Sequence, residues 1–204
     1  MNVHLLLFDG FGEMVSLAPF EVLKRANEVG ADFDIKLISA NGTLDVGTAY
    51  GVKIRADELL LEENRPDLLI VPGGGWNHRA IKGARKEAEK GDIPRYIGRV
   101  HLIGTIVAGV CTGGMLLAEA GILKGKKIAM HHLAADELKD YGAEMAGARI
   151  VDEGSIITAR GVTAGVDLGL WIVERFYGPT VASAVEVRME YERRGIVIRR
   201  EGDQ

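Results

Sequence analysis

Short apolar runs, separated by polar or glycine-bearing segments, dominate the hydrophobic pattern of this chain. Continuous apolar runs of this kind are typical of strands that are buried on both faces of a parallel sheet. The pattern predicts strands at Val3 to Phe8, Phe33 to Ser39, Leu68 to Val71, Leu102 to Val107 and Lys127 to Met130, and two within Arg149 to Ala159. Two β-prone pieces between Asn41 and Arg55 predict a small hairpin appended to the sheet. The stretch GIVIRR, residues 195–200, is a late strand or an ordered tail.

Helical segments lie between most of these strands. Because the first turn of a helix tolerates proline, Pro19 predicts a helix start, and the apolar residues after it continue a helix to Gly30. Further helices are predicted from Gly113 onward and at Asn77 to Lys90, Leu133 to Tyr141, Thr163 to Phe176 and Pro179 to Glu192. The alternation of strands and helices predicts one α/β domain over residues 1–204. Its expected form is a doubly wound, mostly parallel sheet with helices on both faces, a flavodoxin-like three-layer sandwich.

Composition narrows the classes of function. The chain has 204 residues with 47% hydrophobic content, which is enough for one sizeable core. A formal net charge of -4 without a basic stripe argues against nucleic acid as a partner. The single cysteine suits a reducing cytoplasm, and no secretory signal or membrane-spanning run is predicted. A cytoplasmic protein with a small-molecule substrate is expected.

Cys111 is the main candidate for chemistry. It lies between an apolar run that stops at Gly109 and a helical segment that Thr112 and two glycines open, so it is placed at a strand-to-helix turn. A residue at such a turn stands clear of the sheet beside unpaired backbone N–H groups. We expect these groups to lower the pKa of the thiol and to make it a better nucleophile. The alternative is an inert cysteine that packs as a small hydrophobe.

Four predicted strand ends bring polar groups or glycine turns to one rim of the sheet. They are Asp9-Gly10, the turn Pro72 to Gly75, Cys111, and the pair His131-His132. In doubly wound sheets, ligands bind outside the carboxyl ends of the strands. The backbone N–H groups of Gly74 and Thr112 are therefore candidates for an oxyanion hole. The alternative, given equal weight, is that these glycines are present only because the turn needs their backbone conformations.

Adjacent side chains at a strand end point to opposite faces, so only one of the two histidines is expected to face Cys111. His131 is favoured as the general base or hydrogen-bond partner of the thiol. Trp76 and His132 are candidates for pocket walls, with packing and surface exposure as alternatives. One cysteine and scattered histidines give no metal-ligand spacing, and no phosphate-binding glycine loop follows a strand. No metal or cofactor is expected.

Four stretches of the chain resemble a known family. IVPGGG, AGVCTGGMLLAEAGILKGKKIAMHH, ITARGVTAGVDLGLWIVE and FDGFGEMVSLAPFEVL are similar to the ThiJ/PfpI superfamily, which has the class I glutamine amidotransferase-like fold. The CTG elbow and the following segments resemble the branch that contains isonitrile hydratase and the sensor-like domains of AraC-type regulators. The resemblance covers nearly the whole chain.

The resemblance implies roles for individual residues. The nucleophile of the family falls on Cys111, its oxyanion donors on Gly74 and Thr112, and its nearby histidine on His131. Protease-like members carry histidine where Thr112 stands, so the resemblance disfavours a peptidase. Members are commonly homodimers or higher assemblies, and the same is expected here.

One position departs from the family pattern. Four residues before the proline of the first helix, the family usually has an acidic residue that hydrogen-bonds the cysteine, and this chain has Val15. Valine can neither donate nor accept a proton. Glu13 and Asp9 are the nearest acidic residues and are candidates for a replacement proton relay.

Three functions remain open at this point. The favoured one is a cysteine-dependent hydrolase or lyase that acts on a small electrophile and resembles isonitrile hydratase. The second is a stress sensor that responds by oxidation of Cys111. The third is a non-enzymatic ligand-binding domain, although no helix-turn-helix is predicted after the core. Intracellular protease or amidase activity and glyoxalase or deglycase activity are further alternatives within the family.

Overall fold

The computed structural model of the chain describes residues 1–199. The last five residues of the predicted domain, 200–204, lie outside the described residues. Twelve strands are present within that range: β1 (Asn2–Leu7), β2 (Asp34–Ser39), β3 (Asp45–Gly47), β4 (Lys53–Arg55), β5 (Glu58–Leu59), β6 (Leu68–Val71), β7 (Ile106–Val110), β8 (Lys127–Ile128), β9 (Glu144–Met145), β10 (Ile150–Asp152), β11 (Ile156–Ala159) and β12 (Val197–Arg199). Eight of them form one sheet in the order β12-β10-β11-β7-β6-β1-β2-β5. Neighbouring strands in this sheet run parallel except for β10 and β11.

Seven α-helices accompany the sheet within the same range: α1 (Glu13–Asn27), α2 (Ala84–Lys90), α3 (Asp92–Leu102), α4 (Gly113–Glu119), α5 (Ala135–Leu138), α6 (Ala164–Tyr177) and α7 (Pro179–Met189). The helices α1, α6 and α7 pack against one another as one layer, and α2, α3 and α4 form the other. The predicted class, a mostly parallel α/β sheet with helices on both faces, is confirmed.

The central strands β1, β6 and β7 are buried almost throughout. Their apolar side chains face both helical layers, so the hydrophobic effect fixes these three strands as neighbours. Their carboxyl ends consequently meet at one rim. The predicted hairpin is also confirmed, since β3 and β4 pair antiparallel as a separate two-stranded unit. A bridge from Thr48 to Phe11 joins this hairpin to the start of α1.

Two predicted boundaries in the first half of the chain were wrong. The first helix begins at Glu13, so Pro19 lies inside it rather than in its first turn. Proline has no N–H for the carbonyl four residues earlier, but its ring fits against a helix neighbour. A Cβ built on Gly165 of α6 would lie 3.0 Å from Pro19 Cδ, so the glycine leaves room for the proline ring where α1 and α6 pack together. The predicted helix from Asn77 begins only at Ala84.

Further corrections concern the middle of the chain. The predicted strand from Leu102 is shifted, because Leu102 ends α3 and β7 begins at Ile106. The helix α3 was not predicted, although Ile93, Tyr96, Ile97 and Val100 have the spacing of a buried helical face. The predicted strand at Lys127 is short and pairs with β9 outside the main sheet. The predicted helix from Leu133 is broken into short helical turns.

A buried ion pair ties the last helices to the sheet. Asp167 in α6 is almost completely buried and accepts a hydrogen bond from Arg149 Nε at 2.8 Å. The Tyr191 hydroxyl and the Arg194 backbone N–H also donate to this carboxylate. These donors satisfy the hydrogen-bonding capacity of a carboxylate that is shielded from solvent.

We expect Asp167→Ala to destabilise the fold, because the substitution leaves Arg149 without its partner. Loss of one member of a buried pair typically lowers the free energy of unfolding by about 3–5 kcal/mol. Urea unfolding followed by circular dichroism measures the change. The control is Asp136→Ala, which removes an exposed ion pair with Lys139 and should leave the urea midpoint nearly unchanged. Equal effects of the two substitutions would contradict the assignment.

Candidate active site

Cys111 stands at a strained turn between β7 and α4. Its φ is +58°, a left-handed conformation that non-glycine residues rarely adopt. The turn is held because the Cys111 backbone N–H donates to the carbonyls of Ala159 and Arg160, at 3.1 and 3.0 Å. The predicted strand-to-helix elbow is thereby confirmed.

The turn after β6 packs directly against this elbow. A Cβ built on Gly113 would lie 2.2 Å from the Val71 carbonyl oxygen, and one built on Gly73 would lie 2.5 Å from the Thr112 nitrogen. No side chain fits at such distances, so the two backbones touch because both positions are glycine. This contact brings the Pro72 to Gly75 turn beside the sulfur.

A cavity of about 640 Å³ opens at the rim formed by these turns. Most of the predicted site residues line it, namely Glu13, Val15, Gly74, Trp76, Cys111, Thr112 and His131. Other lining residues close its sides: Gly12, Met14, Ala49, Tyr50, Val52, Gly75, Asn77, His78 and Val162. His132 is exposed and is not among the residues that line the cavity, so the alternative of surface exposure holds for it. The prediction of Trp76 as a wall was correct.

The electrostatic environment of the thiol differs from the expectation. Burial raises the pKa of Cys111, while the backbone N–H groups of Val162 and Thr112 and the Thr112 hydroxyl lower it by a smaller amount. The net direction is upward, so the predicted lowering was wrong. The physical reason is that Cys111 is only 6% exposed, and a buried thiolate loses its hydration.

The two predicted oxyanion donors contact each other. The Gly74 backbone N–H donates to Thr112 Oγ1 at 3.1 Å, whereas the Thr112 N–H faces the sulfur. The Thr112 hydroxyl can rotate, since a hydroxyl group has no fixed hydrogen position. Gly74 therefore becomes available to a substrate only if this hydrogen bond is exchanged.

The two histidines are arranged differently from the prediction. Their rings stack, with centroids 4.8 Å apart and planes 19° apart, and do not point to opposite faces. His131 Nδ1 accepts from the Leu133 backbone N–H at 3.3 Å and lies 3.2 Å from Asn77 Nδ2. Within residues 1–199, no hydrogen bond joins His131 to Cys111. Burial lowers the pKa of His131, and the neighbouring charges of His132 and Arg160 lower it further.

The two candidate carboxylates lie in different places. Glu13 lines the cavity, where its Oε1 accepts from the Thr48 hydroxyl and, at 2.9 Å, from the Tyr50 backbone N–H. Its Oε2 is buried and has no hydrogen-bond partner among the described residues. Asp9 lies outside the cavity, where it pairs with Lys82 at 2.6 Å.

Trp76 forms an aromatic wall of the cavity, and the contacts that hold its ring were not predicted from the sequence. Arg85 lies 4.4 Å from the centroid of the Trp76 ring and donates to both oxygens of Glu137. The Trp76 indole N–H donates to the same carboxylate at 3.3 Å. Stacking and ion pairing together fix the indole. Arg85 and Glu137 are 52 residues apart in sequence, and no local pattern connects them.

Two kinds of feature are absent from residues 1–199. No helix in that range is long and apolar enough to cross a membrane. No group of three or more histidine, cysteine, aspartate or glutamate side chains in that range could hold a metal ion.

The family to which this chain belongs follows from its match to a protein-family model. The model of the DJ-1/PfpI family matches residues 1–175. The chain belongs to the DJ-1/PfpI family. The family match covers every candidate residue of the elbow and the cavity.

Relatives in the DJ-1/PfpI family differ in what they do. The chain is 26% identical over 191 residues to isonitrile hydratase of Pseudomonas putida, covering 94% of this chain and 78% of that enzyme. It is 30% identical over 183 residues to the HTH-type transcriptional regulator CdhR of Pseudomonas aeruginosa, covering 88% of this chain. The match spans only 52% of the length of that regulator.

A solved structure supports the fold assignment. A ThiJ/PfpI family protein from Pseudomonas syringae superposes with a TM-score of 0.81 at 24% identity, covering 95% of this chain and 76% of the other. The relatives of this chain include both the enzyme isonitrile hydratase and the regulator CdhR, so membership of the family does not identify an activity. The site itself must supply the argument for a specific activity.

Alkylation tests the direction of the pKa shift of Cys111. Since the pKa is raised, the rate of iodoacetamide labelling should climb with pH and keep rising above the ordinary pKa of a free cysteine. The label is specific because the chain has one cysteine, and Cys111→Ser provides the blank. A labelling rate that is already at its plateau at neutral pH would show that the pKa of the thiol is lowered, contrary to the effect of burial.

Proposed function

We propose that this protein is a cysteine-dependent hydrolase or lyase that acts on a small electrophilic substrate, with hydration of an isonitrile as the leading candidate. The observation that carries the proposal is the placement of Cys111 on a strained elbow that opens into a cavity large enough for a small molecule. The similarity to isonitrile hydratase of Pseudomonas putida supports the substrate class.

In the proposed reaction, the Cys111 sulfur forms a bond to the electrophilic carbon of the substrate. The thiol proton leaves to a base, and the carbon or its attached heteroatom receives a proton as the addition is completed. Water then attacks the same carbon, the carbon–sulfur bond breaks, and the thiol takes back a proton. Backbone N–H groups near the sulfur, from Thr112 and Val162, would stabilise the charge that develops close to it.

We assign the proton transfer to Glu13. Its Oε1 is engaged by Thr48 and Tyr50, so the side chain has a fixed position at the cavity wall. Its Oε2 is buried and has no partner among the described residues, and we assign the transferred proton to this oxygen. The apolar side chains of Val15, Val52 and Val162 line the rest of the mouth and favour a substrate with an apolar substituent.

A second candidate is a ligand-binding domain without catalysis. The raised pKa of Cys111 favours this function, because a protonated thiol is a weak nucleophile. The engagement of Gly74 by Thr112 points in the same direction, since it occupies an expected oxyanion donor. Similarity to the regulator CdhR is consistent with it.

Turnover assays separate the two candidates. A panel of isonitriles, amides and methylglyoxal should include a substrate that the wild type converts and Cys111→Ala does not. Glu13→Gln keeps an acceptor for Thr48 but cannot take up a proton, so it should lower kcat by about 10²–10⁴. Asp9→Asn is the matched control and should change kcat little.

Turnover that survives Cys111→Ala would remove Cys111 as the nucleophile. Absence of turnover across the panel, together with thermal stabilisation by the same compounds, would favour the ligand-binding candidate.

Val15→Asp restores an acidic residue at the position where the family usually has one. If Glu13 already transfers the proton, this substitution should not raise the activity of the wild type, but it should restore activity to Glu13→Gln. The measurement is kcat of the single and double variants on the best substrate of the panel. A large gain in the wild-type background would instead mean that the proton transfer lacks an effective group.

A further inference from the structure

The two ring nitrogens of His131 have different surroundings. Nδ1 accepts a hydrogen bond from the Leu133 backbone N–H at 3.3 Å, as His131 caps the short helical turn that follows it. A backbone N–H only donates, so Nδ1 must present its lone pair. A neutral imidazole carries one N–H, and this contact favours its placement on Nε2.

Asn77 strengthens this preference. Its Nδ2 lies 3.2 Å from His131 Nδ1. With Nδ1 as an acceptor, the carboxamide must turn its NH₂ group toward the ring, because its oxygen would face a lone pair. His131 thus has two donors on Nδ1, one from the backbone and one from Asn77. The charged or titratable groups that face the ring, His132 and Arg160, both disfavour a second proton.

The other edge of the ring lies beside the elbow. A Cβ built on Gly161 would be 2.7 Å from His131 Cδ2 and 3.5 Å from Nε2. Gly161 precedes Val162, whose N–H faces the sulfur. His131 lines the cavity, and within residues 1–199 its Nε2 makes no hydrogen bond. An N–H that has no acceptor inside the protein remains available to a bound molecule.

We propose that His131 is a fixed hydrogen-bond donor to the substrate and not the base for Cys111, and that Asn77 is the positioning residue that holds this tautomer. An Nε2 that already carries a proton has no lone pair to receive the thiol proton. The proton stays on Nε2 throughout, and the N–H stabilises negative charge that develops on the substrate. The catalytic part of this inference rests on the proposed function, whereas the tautomer does not.

Long-range proton–nitrogen correlation spectra of isotope-labelled protein test the tautomer without a substrate. At neutral pH, His131 should show a protonated Nε2 and an unprotonated Nδ1, and His131→Gln identifies its signals. Asn77→Asp places a carboxylate at Nδ1 and should move the proton toward that nitrogen. Asn77→Ala keeps only the Leu133 donor and should give a mixture of tautomers.

His132→Gln is the matched control, because His132 stacks on the ring without a hydrogen bond to it, and the tautomer should not change. A wild-type spectrum with the proton on Nδ1, or with both tautomers equally populated, would overturn the proposal.

Kinetics test the role on any substrate whose turnover depends on Cys111. His131→Leu removes the donor and should lower kcat by about 10²–10³. His131→Gln retains an N–H donor and should lose much less. Equal losses in the two variants would indicate a base and overturn the donor role. If no such substrate is found, the proposed function fails, while the spectra still decide the tautomer.

Discussion

Direct backbone contact between the turn after β6 and the elbow after β7 is the constraint on which the site depends. The distances at Gly73 and Gly113 leave no room for a side chain at either glycine. The parallel pairing of β6 with β7 sets the two turns side by side, and the glycines let them close together. Cys111, the Thr112 amide and the Gly74 amide therefore hold a common arrangement that is built from main chain rather than from mobile side chains.

Burial sets the chemical character of this arrangement. The sulfur lies among amides that favour its anion, yet the loss of hydration outweighs them and the pKa of Cys111 is raised. Val15 adds to this apolar environment at the position where the family resemblance implies an acidic residue. A carboxylate is nevertheless present on the same helix, since Glu13 is two residues away and lines the cavity from the first turn of α1. The proposed function requires Glu13 to take the role that the family resemblance assigns to an acidic residue at position 15.

The sequence predicted the architecture well, because buried parallel strands leave continuous apolar runs and glycine turns mark their ends. It placed Cys111, Gly74, Thr112 and His131 at one rim, and all four line one cavity. It failed where long-range packing overrides local signals. Pro19 lies inside α1 and packs against Gly165 of α6, a contact between distant segments. The direction of the pKa shift at Cys111 likewise depends on burial that no local motif encodes. The Arg85–Glu137 support of Trp76 and the stacking of the two histidines likewise arise only when distant segments meet.

The hairpin of β3 and β4 is attached to the site through Glu13. One carboxylate oxygen of Glu13 holds Thr48 and the Tyr50 backbone, and Tyr50 in turn lines the cavity. A single side chain therefore fixes the position of a wall and supplies an ionisable oxygen to the interior. Attempts to redesign the size of the cavity by altering the hairpin would also shift that oxygen. Under the proposed function, breadth of substrate acceptance and efficiency of proton exchange are therefore traits that cannot be optimised separately.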